Sequence, residues 1–143
     1  MNGFTEIAHT ADIGLEVWAD SYSNLFRYAM YGYYKLVLPG EYSSGESRRF
    51  SFFESDSGYE NLLISFLSEI NFKLMVEKQV VNPVESIKIN KMENTDQLEV
   101  TGFIHTLQYP EESIEIEIKA VTYHQVNIVE ENGIYRTKIF FDI

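Results

Sequence analysis

Cysteine is absent from the 143 residues, which excludes disulfide frameworks, thiolate zinc sites and cysteine nucleophiles. Basic side chains are scarce: 11 Lys and Arg stand against 22 Asp and Glu, a formal charge of −11. Proteins that hold naked nucleic acid draw most of their affinity from Lys and Arg displacing counterions from phosphates. With no basic run longer than Arg48-Arg49, direct RNA or DNA binding is not expected. No apolar run approaches the roughly 18 residues of a membrane span, and the first basic residue is Arg27, so the start lacks the positive region of a signal peptide. Walker-type and dinucleotide-type glycine loops, a Gly-x-Ser-x-Gly elbow and a His-Glu-x-x-His pair are also missing.

What remains is an acidic chain with the balance of an ordinary folded domain, 45% hydrophobic and 23% charged. Its length fits one domain over residues 1–143 with a core of its own. The lack of cysteine and of targeting signals fits a cytoplasmic protein. A field of this sign suits a basic protein surface or a divalent cation as partner.

Hydrophobic periodicity orders the chain. Residues 4 to 19 hold two short apolar stretches separated by His9-Thr10-Ala11-Asp12. In the second, Ile13, Leu15 and Val17 alternate with Asp12, Gly14, Glu16 and Trp18, the period of a strand with one buried face. Asp20-Ser21-Tyr22-Ser23 offers N-cap candidates. A helix follows through Leu25, Phe26, Ala29, Tyr33, Leu36 and Val37, stopped by Pro39-Gly40. Residues 41 to 47 read as polar loop, and Phe50 and Phe52 alternate in a strand from about residue 48 to 54. Ser57 and Glu60 form a capping box ahead of a second helix with an apolar stripe of Leu63, Phe66, Leu67, Ile70 and Leu74.

Beyond that helix the pattern is sheet. Ile87 and Ile89 mark one strand, Asn94-Thr95-Asp96 a turn, and Leu98, Val100 and Ile104 the next strand. Residues 108 to 113 read as a loop around Pro110. Ile114, Ile116, Ile118 and Ala120 then alternate with Glu115, Glu117 and Lys119. Asn132-Gly133 between two alternating runs signals a hairpin. Two helices among consecutive strands predict an α+β fold with a largely antiparallel sheet or sandwich.

Three places stand out chemically. His9-Thr10-Ala11-Asp12 sets polar residues ahead of a strand, although a turn in which Asp12 bonds its own backbone explains it as well. Lys119 to His124 carries Lys, Thr, Tyr and His, equally readable as a solvated strand face. Phe140-Phe141-Asp142-Ile143 ends the chain on a strand, setting the terminal carboxylate beside the Asp142 side chain. Two such anions repel unless a cation or donor neutralises them. A third carboxylate such as Asp12 would complete a hard-oxygen cluster suited to Ca²⁺ or Mg²⁺ rather than zinc. An ordinary frayed end is the plain alternative. Spacing does not bring residue 12 to residue 142.

The same segments resemble the archease family, small proteins that assist the RtcB-type RNA ligase. The matching stretches are His9-Thr10-Ala11-Asp12-Ile13-Gly14, the Glu117 to His124 segment and the closing Phe141-Asp142-Ile143, with Leu25-Phe26, Leu62-Leu63 and Phe66-Leu67 between them. The resemblance spans essentially the whole chain. It implies a non-catalytic activator in tRNA splicing that promotes guanylylation of the ligase by GTP, supports its multiple turnover and broadens its nucleotide use. It further implies a divalent-metal site, Ca²⁺ in the family, at Asp12, Asp142 and the carboxylate of Ile143. His9, Lys119 and His124 are implied to shape the partner-activating surface. Family members often carry a Gly-Glu-type segment before the Lys-containing strand, where this chain has Ile104-His105-Thr106-Leu107-Gln108-Tyr109-Pro110-Glu111-Glu112.

Two readings from other classes stand beside this one. A small metal-dependent hydrolase would use the cation to activate water, with His9 or His124 as base. A general chaperone or interaction module would use exposed aromatics, since Tyr28, Tyr31, Tyr33 and Tyr34 crowd one helix and cannot all face the core.

Overall fold

A computed structural model describes residues 1–8, 12–123 and 126–143. The chain forms strands β1 (Gly3–Ala8) and β2 (Asp12–Ala19), helix α1 (Tyr22–Val37), strand β3 (Arg48–Asp56) and helix α2 (Tyr59–Met75). Strands β4 (Gln79–Lys91) and β5 (Asp96–Thr106) follow, then a one-turn helix α3 (Pro110–Ser113). The chain closes with β6 (Ala120–Val121), β7 (Val129–Glu131) and β8 (Ile134–Asp142). One sheet runs β1-β2-β8-β6, with β7 pairing the other end of β8, and a second runs β3-β5-β4. Every pairing is antiparallel, so the α+β expectation holds.

Both long helices touch strands of both sheets, which explains how widely they are buried. In α2 the expected stripe of Leu63, Phe66, Leu67, Ile70 and Leu74 is buried, and Leu62, Ile64 and Asn71 are buried with it. Phe26 of α1 and Phe66 of α2, both fully buried, stack with centroids 5.8 Å apart at the centre. Burying each such ring contributes about 1.5–3 kcal/mol.

Local signals act largely as their chemistry dictates. Ser21 caps α1, its Oγ accepting from the Asn24 amide at 3.1 Å. Asn132 and Gly133 take positive φ of 53° and 80°, the left-handed pair that a tight hairpin between β7 and β8 requires. Pro83 sits inside β4, where the ladder shifts register between Val81 and Ser86. It is tolerated because β4 is an edge strand and the bulge needs no donor there.

Three expectations are corrected. The capping box is not formed: the N-cap of α2 is Gly58, with φ of 85° and no side-chain bond. The Glu60 carboxylate instead accepts the Ile128 amide at 3.1 Å, fastening the approach to β7. The loop around Pro110 contains α3, so there is a third, one-turn helix beyond the two expected; Pro110 at its start supplies a preset φ and needs no amide partner.

The strand expected over 114–120 shrinks to Ala120–Val121. Its alternation persists as far as residue 119, with Ile118 buried and Glu115, Glu117 and Lys119 exposed. The segment is held one bond at a time instead of by a ladder. The Glu115 amide donates to the Val37 carbonyl at 2.8 Å, and the Asn71 side chain donates to the Ile118 carbonyl at 3.1 Å.

Candidate functional site

The start of β2, the end of β8 and the start of β6 lie side by side at one end of the five-stranded sheet. In the pairing of β2 with β8, Asp12 stands directly opposite Asp142. On the other flank of β8, Ala120 stands opposite that same Asp142. The Lys119 amide donates to the Asp142 carbonyl at 2.8 Å, and the Thr122 amide to the Phe140 carbonyl at 3.0 Å. The described parts of the three stretches singled out in the sequence, Asp12, Lys119 to Thr122 and Phe140 to Asp142, thus converge.

Strand alternation fixes the face. Phe141 is fully buried and packs against the Tyr33 ring at 5.9 Å. Asp12 and Asp142, one residue out of phase with Ile13 and Phe141, therefore share the face turned away from that core. Directly opposed residues on one face have Cβ atoms about 4.5–5.5 Å apart, so the two side chains leave the sheet side by side. Asp12 is half-buried; Asp142, Ile143 and Lys119 are exposed. His9 and His124 lie outside the described residues. Among the described residues, no three His, Asp or Glu side chains gather into a metal cluster on their own.

Gly14 explains one element of the first motif. It pairs with Phe140, and a Cβ built there would sit 2.7 Å from the Phe140 ring and 3.0 Å from the Ile139 carbonyl. Phe140 covers the glycine and is itself only 4% exposed. The glycine leaves room for the Phe140 ring on the sheet face that carries Asp12 and Asp142.

A buried polar relay missed by sequence reasoning supports the same edge from the core side. Tyr33 of α1 donates its hydroxyl to Asn71 Oδ1 at 2.6 Å, and Asn71 passes its own amide to Ile118. Burial pushes the Tyr33 phenol well above the usual tyrosine range, with the neighbouring Tyr34 adding to the shift, so the hydroxyl stays a donor. The relay fixes the residue before Lys119. Its signal in the sequence was an asparagine interrupting the apolar run of α2.

The helix tyrosines do not make an aromatic surface. Tyr33 is fully buried and Tyr31 is 38% exposed, while Tyr28 and Tyr34 are half-buried. The Tyr34 hydroxyl is engaged within the fold, accepting the Val81 amide at 2.9 Å.

Comparison with known proteins gives a consistent result. Residues 4–143 match the model of the archease protein family (MTH1598/TM1083). Protein archease of Methanosarcina mazei is 29% identical over 140 residues, covering 96% of this chain and 93% of that protein. Protein archease of Thermococcus gammatolerans is 29% identical over 129 residues, covering 90% and 89%. The fold resembles the solution structure of Methanobacterium thermoautotrophicum protein 1598, with a TM-score of 0.74, 22% identity and 99% of both chains covered. It also resembles the crystal structure of an archease, described as a possible chaperone, from Thermotoga maritima, with a TM-score of 0.67, 20% identity and 96% and 94% of the two chains covered. With a family match that spans nearly every residue, the chain belongs to the archease family.

Proposed function

We propose that this protein is a non-catalytic activator of an RtcB-type tRNA-splicing RNA ligase, promoting guanylylation of the ligase by GTP and its multiple turnover. The observation that carries the reading is the opposition of Asp12 and Asp142 across β2 and β8, within a chain that belongs to the archease family. In this reading Asp12, Asp142 and the carboxylate of Ile143 hold a divalent cation, Ca²⁺ above others. The donor set fits such an ion: all are hard oxygens, from groups of one sign that repel when opposed and gain from a cation between them. Bound there, the cation would neutralise these groups and tie the first strands to the last.

The chain's own residues then do the recognition. β8 holds Asp142 between Asp12 and Ala120, and the Tyr33–Asn71 relay fixes the approach to Lys119. Lys119, His9 and His124 belong to the surface offered to the ligase. An acidic chain does not compete for tRNA phosphates, yet it complements a ligase surface that is basic because it binds RNA. Replacing Asp142 with Ala is expected to abolish stimulation of ligase guanylylation while leaving the circular dichroism spectrum unchanged. Full stimulation by that variant rejects the proposal.

A further inference from the structure

Beside β6, on the helix side of the sheet, lies a groove of about 550 Å³ between the last turns of α2 and residues 117 to 121. Two large apolar side chains stand at it in water: Phe72 is 49% and Val76 62% exposed. They are one helical turn apart, so they project to the same side of α2, where an ordinary surface helix presents polar residues. The far wall is held from beneath, where the Tyr33–Asn71 relay bonds the Ile118 carbonyl.

At Met75 and Glu117 the groove runs into a second cleft of about 510 Å³ beneath α3. Exposed Glu111, Glu115 and Glu117 line this continuation. Lys78 lines this cleft too, its ammonium donating to the Met75 carbonyl at 2.6 Å, so one cation stands among three carboxylates; Lys73 is paired with Glu69 and Glu77 at 3.5 and 3.9 Å. Lys119 lines the first groove, at the end where its main-chain amide donates to the Asp142 carbonyl at 2.8 Å. The channel therefore carries its exposed apolar side chains at one end and an excess of carboxylates at the other.

We infer that this channel docks an extended basic segment of the partner protein, with one apolar side chain against Phe72 and Val76 and Lys or Arg side chains toward Glu111, Glu115 and Glu117. The inference rests on the activator reading above and assigns a surface to it. Phosphates would be repelled by the three carboxylates. A second copy of this chain, at −11 with a single Arg pair, offers no such basic segment. The groove wall at 119–121 is bonded to the end of β8, so a docked segment lies next to the edge that carries Asp12 and Asp142.

The test measures binding of the full chain to its cognate RtcB-type ligase by isothermal titration calorimetry. Two double variants are compared with wild type: Phe72→Ser with Val76→Ser, and Glu115→Lys with Glu117→Lys. All four positions are exposed, and unchanged circular dichroism confirms folding. Affinity is expected to fall at least tenfold in each, with the charge-reversed variant losing most of the salt dependence of binding. Wild-type affinity in either variant overturns the inference while leaving the activator reading standing. No binding by the wild type overturns the activator reading and this partner with it. Self-association of the chain alone in sedimentation velocity, abolished in the apolar variant, overturns the inference in favour of a second copy.

Discussion

Asp12 and Asp142, near the two ends of the chain, are direct partners in the antiparallel ladder between β2 and β8. Like charges directly opposed on one face destabilise a sheet by a few tenths to about 1 kcal/mol. A cation bound to the folded state reverses that sign, adding about 2.7 kcal/mol at a hundredfold excess over its Kd. Ca²⁺ is therefore expected to raise the melting temperature of the wild type, and chelator to reverse the rise. Asp142→Asn should melt higher than wild type without metal and show no response to Ca²⁺. Differential scanning calorimetry checks both; an undiminished Ca²⁺ response in the variant contradicts the assignment.

The Tyr33–Asn71–Ile118 relay makes a second prediction. Removing one partner of a buried hydrogen bond strands the other, at a cost of about 1–3 kcal/mol. Tyr33→Phe and Asn71→Leu should each destabilise by amounts in that range. The double variant should cost less than their sum, because the stranded Asn71 oxygen is gone. Urea unfolding of all four proteins measures the coupling, and strict additivity would show that the bond contributes nothing.

Gly102 predicts the steepest response to a single methyl group. A Cβ there would lie 2.5 Å from the Pro83 carbonyl oxygen and 3.0 Å from the Val84 Cα, both main-chain atoms of the β4 bulge. Gly3 faces a slightly longer 2.7 Å contact, and with the Trp18 ring, which can move. Overpacking costs typically about 1–3 kcal/mol. Gly102→Ala is expected in the upper part of that range and Gly3→Ala below it, read from urea midpoints.

Two buried tyrosines make stability depend on alkaline pH. Burial raises the Tyr33 and Tyr34 phenols above the ordinary value near 10, with Tyr34 also feeling Tyr42 while the Val81 amide opposes the rise. Above that value the unfolded chain gives up these protons and the folded chain keeps them, so stability is full below pH 10 and falls as pH climbs beyond it. Absorbance titration should show both phenols staying protonated until the protein unfolds. Tyr33→Phe should flatten the alkaline decline measured by urea unfolding, and an unchanged slope would contradict the assignment.

How much of this was legible in the sequence depended on whether the information was local. Ser21, Asn132-Gly133 and the apolar stripe of α2 act within a turn or two of themselves, and they folded as read. Ser57 and Glu60 had the spacing of a capping box, but a distant amide, that of Ile128, claimed the carboxylate. Residues 114 to 119 had the alternation of a strand, yet ladder pairing with β8 is confined to Ala120–Val121, flanked by the Lys119 and Thr122 amide bonds. Alternation reports which side faces the core, not whether a neighbour is present to pair. The meeting of Asp12 with Asp142 is long-range register, which no spacing encodes; family resemblance pointed to it. His9 and His124, named with that site, lie outside the described residues.

The most direct test of the account is guanylylation of the cognate ligase with GTP, using this chain at limiting amounts, with and without chelator. Several guanylylated ligase molecules per molecule of chain, lost on chelation and restored by Ca²⁺, is the result predicted. Equal guanylylation with and without the chain would contradict it.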